Sequence, residues 1–286
     1  MFTLRRLQAM VLGHELDPDN IRAQLEASNV PVTTADCRNC SDPCEEGHES
    51  YPGRFDVDRE TQMLGSIKPY RRQVIISTGK SDWDREVTDT KGSLAAYLLS
   101  AQNRSSFPIA EPTPPTTPAQ TVRPVAGVFS SSDSTKISIL NGSHNTMSED
   151  LDQETVLVFP DYTLVADVPR TREGAQGLWE TAVDPSVQRG DAVLEKTPFK
   201  TWVLPYSCVI LLCSHKRRDG RCGISAPKLE QAFVHSLQEN GWAADTHLEC
   251  HCLMGRPLEE FQGTPEETKQ HIEKELREVT STRGIV

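Results

Sequence analysis

No stretch of the 286 residues approaches the roughly 18 consecutive apolar residues of a membrane span, the best run being Val209 to Cys213. A transmembrane protein is thereby excluded. Nor is there a surplus of positive charge: 30 Lys and Arg stand against 41 Asp and Glu, a net charge of -11. That balance repels phosphate backbones and anionic lipid, so neither nucleic acid nor a membrane surface is expected as partner, and any basic site must be local. The first twenty residues lack the apolar core of a secretory signal, which places the eight cysteines in a reducing compartment and marks them as metal-binding or redox groups. No G-x-S-x-G elbow and no recognisable pair of carboxylates is present, which argues against hydrolytic chemistry. What is present, 36% hydrophobic and 25% charged residues, is the composition of a globular protein, and at roughly 150 residues per domain the length suggests about two domains.

The N-terminal stretch through Val11 carries Arg5 and Arg6 with no acidic residue before Glu15. This is the charge pattern of a mitochondrial presequence and equally that of an ordinary first helix, so the compartment is read as mitochondrial with the cytosol as alternative. Residues 1–34 are taken as an extension and 35–184 as an N-terminal α/β or α+β domain. Within it, residues 103–134 are rich in Pro, Ser and Thr and are read as a disordered insertion. Apolar runs predict strands at Gln73–Ser77, Lys136–Leu140, Thr155–Phe159 and Tyr162–Ala166, with helices around Leu94–Leu99 and Glu173–Val183.

Residues 200–286 form the second domain, and the fold class as a whole is α/β. Ser207–Cys213 has the continuous apolar pattern of a strand buried on both faces. A helix is expected from about Ser225, with Pro227 in its first turn, a buried stripe of Leu229, Ala232, Phe233 and Leu237, and Gly241 at its end. Asp245–Cys252 reads as a second strand. Thr264-Pro-Glu-Glu267 has the form of a capping box opening a last helix, with Ile272, Leu276 and Val279 inward. Strand, helix, strand, helix predicts a parallel βαβ unit, and Ile285 and Val286 begin a further strand.

Chemistry concentrates in Cys213-Ser-His-Lys-Arg-Arg-Asp-Gly-Arg-Cys222, where four cations face one Asp. A thiol at a strand end and another just before a helix N-terminus lie where positive charge and unpaired amides favour thiolates, the form that binds metals. The loop itself can equally be a solvated basic surface. Taken with Cys40-Ser-Asp-Pro-Cys-Glu-Glu-Gly-His48, Lys80-Ser-Asp-Trp83 and Phe159-Pro-Asp-Tyr162, this segment resembles the fungal sucrase/ferredoxin-like family, in particular the branch named for altered inheritance of mitochondria. The resemblance runs from about residue 35 to the C-terminus, leaving out the Pro-rich insertion.

That resemblance implies a thioredoxin-like ferredoxin domain holding a [2Fe-2S] cluster through two Cys and two His, with Cys213 and Cys222 as the cysteines. The family's His-x-Gly-Gly-His motif is absent: His247 and His251 have its spacing without its glycines. The domain is therefore expected to lack its last strands, and the chain to be an iron-sulfur electron-transfer or thiol-redox protein unable to hold the family's cluster unless His215, Cys250, Cys252 or a second subunit completes the ligand set. Lys216 to Arg221 would dock an acidic redox partner. The alternative reading is a non-redox zinc-binding or scaffold protein, in which Cys37, Cys40, Cys44 and His48 supply a three-thiolate, one-imidazole set suited to tetrahedral zinc.

Overall fold

The computed structural model describes residues 18–27, 31–32, 70–105, 135–187, 198–246, 248 and 255–282. The chain divides into two compact units, Met1–Tyr70 with Ala110–Ser134 and Arg71–Ile109 with Thr135–Val286. In the first, the described residues are helix α1 (Pro18–Ala27), residues 31–32 and Tyr70.

The second unit is built on a mixed sheet of β1 (Arg72–Ser77), β2 (Ile137–Gly142), β3 (Gln153–Phe159), β4 (Thr163–Pro169) and β5 (Lys200–Val203), in the order β2-β1-β3-β4-β5. Strands β1 and β2 run parallel, with helix α2 (Leu94–Arg104) between them in the chain; the other pairings are antiparallel. The α/β class and four of the five strands agree with the sequence reading. Strand β5 was not foreseen, since its four residues are too few to show a period, and they add to the edge of β4.

Alternation along the strands covers the sheet on both faces. Val74 and Ile76 of β1 pack with Val156 and Val158 of β3 beneath α2 and helix α3 (Arg172–Leu178), joined by Leu94, Leu98, Leu178 and Trp179. Ile75, Leu157 and Leu164 face the other way, towards Trp202, Leu204, Tyr206 and Leu248. Ser93 and Thr171 cap α2 and α3 by accepting from the amides of Ala96 and Gly174, which is why each helix starts where it does. A π-helical turn, Trp179–Val183, follows α3 directly.

The C-terminal part departs from the sequence reading. Ser207–Cys213 is irregular backbone with a single bridge position at Cys208, and Leu211 is 50% exposed. An apolar run becomes a doubly buried strand only with a ladder beside it and layers on both faces; here Val209 alone packs against the core cluster on that side of the sheet. The helix after it, α4 (Gly220–Glu239), starts five residues before the expected position. Asp219 is its cap, accepting from the Arg221 amide, and Pro227 lies inside it. Ala226 is its buried residue, whereas Ile224, Leu229 and Phe233 are exposed, so the expected inward stripe of Leu229 and Phe233 is corrected to an outward one. Of the strand expected at Asp245–Cys252, the described residues 245, 246 and 248 are not in strand conformation; the rest lie outside the described residues.

Helix α5 (Pro265–Thr282) fulfils its expectation. The Thr264 amide and hydroxyl donate to Glu267 Oε2 at 2.7 and 2.8 Å, and the Glu267 amide donates back to Thr264 Oγ1 at 3.3 Å, a reciprocal capping box. Ile272 and Val279 are buried against Val203 and Leu258, with Leu276 alongside.

Candidate functional site

The sheet carries two family-like motifs whose tasks are visible in its packing. Asp161, in Phe159-Pro-Asp-Tyr162, accepts from Arg72 Nε at 2.6 Å and from Nη2 at 3.2 Å. Arg72, 2% exposed, also donates to the carbonyls of Asp184 and Val187, both at 2.6 Å, so one guanidinium ties β1 to the β3–β4 turn and to the segment after the π-helical turn. Tyr162 donates its hydroxyl to the Tyr206 carbonyl at 2.8 Å and thereby anchors the segment that leads to the cysteines.

The second motif, Lys80-Ser-Asp-Trp83, follows β1 and receives the cysteine loop. Ser214 Oγ donates to the Ser81 carbonyl at 3.1 Å, the Arg217 amide to Asp82 Oδ1 at 3.0 Å, and Arg217 Nη1 to Asp84 Oδ1 at 2.8 Å. His215, although it sits in the basic loop, is buried. Its Nε2 lies 3.1 Å from the Trp83 carbonyl, and its ring meets the Trp83 indole edge-on at 5.5 Å. Trp83 is itself held by its indole N–H on Thr78 Oγ1, which in turn donates to the Gly142 carbonyl. The Arg217 amide above all, with the Trp83 amide and the charges of Arg217 and His215, holds the Asp82 carboxyl below its usual range despite some loss of hydration.

Within the loop, the amides of Arg218 and Asp219 both donate to the His215 carbonyl, a tight turn that carries the chain into α4. Cys222 falls in the first turn of that helix, nine residues after Cys213 and near enough for the two thiols to influence each other's ionisation. Cys213 is exposed and Cys222 half-buried. The structure does not make Cys222 acidic. Burial, the hydrogen bond with Cys213, and the negative charges of Cys213 and Asp219 push the Cys222 thiol up to about 11, against the lowering effect of Arg221. The expected gain from the helix N-terminus is outweighed, above all by the loss of hydration at Cys222.

The four cations of the loop are partly spoken for. Arg221 pairs with Asp219 at 2.7 Å and Arg217 with Asp84 at 2.8 Å, while Lys216 and Arg218 are exposed. Among the described residues no three of His, Cys, Asp and Glu gather as a metal-binding group. Cys213 and Cys222 are thus only two of the four donors that a [2Fe-2S] centre requires, and His215 Nε2 is turned to the Trp83 carbonyl. His247, Cys250, His251 and Cys252 lie outside the described residues, as do Cys37, Cys40, Cys44 and His48. The sequence reading missed Asp82 and Asp84 as partners of the loop. Their signal was the acidic Ser81-Asp-Trp-Asp84 stretch, of charge opposite to the cysteine loop and more than 100 residues away in sequence.

The sequence profile described as Suc_Fer-like, sucrase/ferredoxin-like, matches residues 63–272. Among curated proteins the chain is similar to Actin patches distal protein 1 of Saccharomyces cerevisiae (strain ATCC 204508 / S288c), at 25% identity over 227 residues, covering 77% of this chain and 64% of that protein's length. No solved structure matches significantly.

Proposed function

The chain belongs to the sucrase/ferredoxin-like family, and from that premise we propose that it is a redox protein working through the Cys213/Cys222 thiol pair, which forms the thiolate side of an iron-sulfur centre. The observation that carries this reading is that one short loop, whose turn closes on the His215 carbonyl, bears a thiol at each end, one exposed and one at the opening of a helix. Such a centre, when bound, takes up and gives back one electron. The other two donors of such a centre would have to be supplied by residues other than these two. The resemblance to a thioredoxin-like ferredoxin domain belongs to the same reading, and the position of Cys222 in the first turn of α4 supports it.

The protein's own residues prepare the site in three ways. Asp219 caps α4 and fixes the start of the helix that bears Cys222. The 81–84 segment holds the other limb of the loop, next to Cys213. Lys216 and Arg218, exposed beside the thiols, favour a partner with an acidic docking face, because their field acts at short range in a protein of net charge -11. A reducing compartment, mitochondrial or cytosolic, suits free thiols at this exposure.

Anaerobic purification of the full chain, followed by iron and sulfide analysis and visible absorption, tests the reading. Stoichiometric iron and a [2Fe-2S] spectrum, both lost in Cys213→Ser and in Cys222→Ser, are expected. Iron retained in both variants, or a wild-type chain that takes up none on reconstitution with iron and sulfide, would overturn it.

A further inference from the structure

The contact between the 81–84 segment and the cysteine loop joins parts of the chain more than 130 residues apart, and the polar groups of Ser214, His215 and Arg217 all meet it. Three of these four contacts engage the loop by its side chains. The fourth is different: the carboxylate of Asp82 accepts from the backbone amide of Arg217, so it fixes the main chain itself, four residues from Cys213 and two from the Asp219 cap. A charge-assisted bond to a backbone amide restrains a loop more than a contact through a long flexible side chain, because no rotamer of the loop itself has to be ordered.

We infer that Asp82 is a positioning residue of the thiol pair: its carboxylate, by holding the Arg217 amide, sets the conformation of the loop that links Cys213 to Cys222 and with it the separation of the two thiols. This rests on the reading of the two cysteines as a working pair. The side chain of Asp82 is about one-third exposed, at 33%, and packs in neither face of the sheet, so its removal leaves the core intact. What it changes is the effective concentration of one thiol at the other.

The test uses the iron-free full chain equilibrated with mixtures of reduced and oxidised glutathione. In the closing reaction the Cys213 thiol attacks glutathione disulfide and releases one glutathione, and the Cys222 thiol then displaces the second. Two thiols and one glutathione disulfide become the Cys213–Cys222 disulfide and two glutathiones. Differential alkylation and mass spectrometry read these two cysteines separately from the other six.

Asp82→Ala is expected to lower the equilibrium constant for closing about tenfold, with an unchanged unfolding midpoint. Asp82→Asn, which keeps an oxygen for the amide, should stay within about threefold of the wild type. Arg217→Ala, which keeps the amide and loses only the side-chain ion pairs, should do the same. The inference is overturned if Asp82→Ala closes as readily as the wild type, if Asp82→Asn falls as far as Asp82→Ala, if Arg217→Ala falls as far, or if the wild-type pair does not close at any ratio. Iron content, measured separately, decides the iron-sulfur reading, so the two can fail independently.

Discussion

Replacing Asp161 by asparagine isolates the buried ion pair that staples the sheet. The wild-type Arg72 guanidinium is 2% exposed and meets both Asp161 oxygens, at 2.6 and 3.2 Å, together with the Asp184 and Val187 carbonyls. Asparagine keeps one acceptor oxygen but turns an NH2 group towards a buried cation, and the positive charge loses its counter-ion. Removing one partner of a buried pair costs about 3–5 kcal/mol; the two remaining carbonyls and the retained oxygen place Asp161→Asn near the lower end, about 3 kcal/mol. Against a total stability of about 5–15 kcal/mol that is a large fraction. Urea unfolding followed by circular dichroism should show a lower midpoint at unchanged slope. The double variant Arg72→Met with Asp161→Leu separates loss of the pair from loss of one partner, because it leaves no orphan charge. It should be more stable than Asp161→Asn by about 1 kcal/mol or more. A cost below about 1 kcal/mol for Asp161→Asn, or a double variant no more stable than the single one, would refute the argument that the uncompensated guanidinium is the source of the penalty.

His144 supplies a pH dependence of stability: burial lowers its imidazole to about 4, partly offset by the Thr155 carbonyl, while an unfolded imidazole titrates near 6.5. Between those values the unfolded chain binds a proton that the folded one does not, so stability falls as the pH drops from about 6.5 through 4, by up to about 3 kcal/mol. The raised Glu154 carboxyl acts in the opposite sense over the carboxylate range, and His144→Asn should flatten the profile above it; an unchanged profile would remove His144 as the cause. Gly174→Ala should cost about 1–3 kcal/mol in the same unfolding assay, because the new Cβ would run into the Pro169 carbonyl oxygen, which is backbone and cannot swing away. A neutral effect would mean that α3 shifts freely on the sheet. Iodoacetamide at pH 8 should label Cys213 well before Cys222, since a thiol pushed up to about 11 is ionised there in only about one molecule in a thousand and Cys222 is also less exposed. Equal labelling rates would contradict the assigned asymmetry of the pair.

What the sequence determined by itself was local or periodic. Val74, Ile75 and Ile76 read as a strand because β-branched residues in a row need layers on both faces, and both layers are there. Thr264 and Glu267 sit three residues apart, so their capping box requires nothing from the rest of the chain. The family motifs could be recognised as strings, and Cys213 and Cys222 could be named as a pair by their resemblance. Tertiary structure decided what those strings do. Asp161 is an anchor for Arg72 because the β3–β4 turn passes over the start of β1, a long-range closure that no window of sequence contains. Ser207–Cys213 has the composition of a buried strand and is none, since hydrophobicity states what a segment would gain from burial but not whether a ladder stands beside it. Asp82 meets the loop that follows Cys213 only because the segment after β1 and the segment after β5 come together in space. The thiol of Cys222 is held up to about 11 for the same kind of reason: burial first, and then the influence of Cys213, come from what the fold places around it and not from the helix it opens.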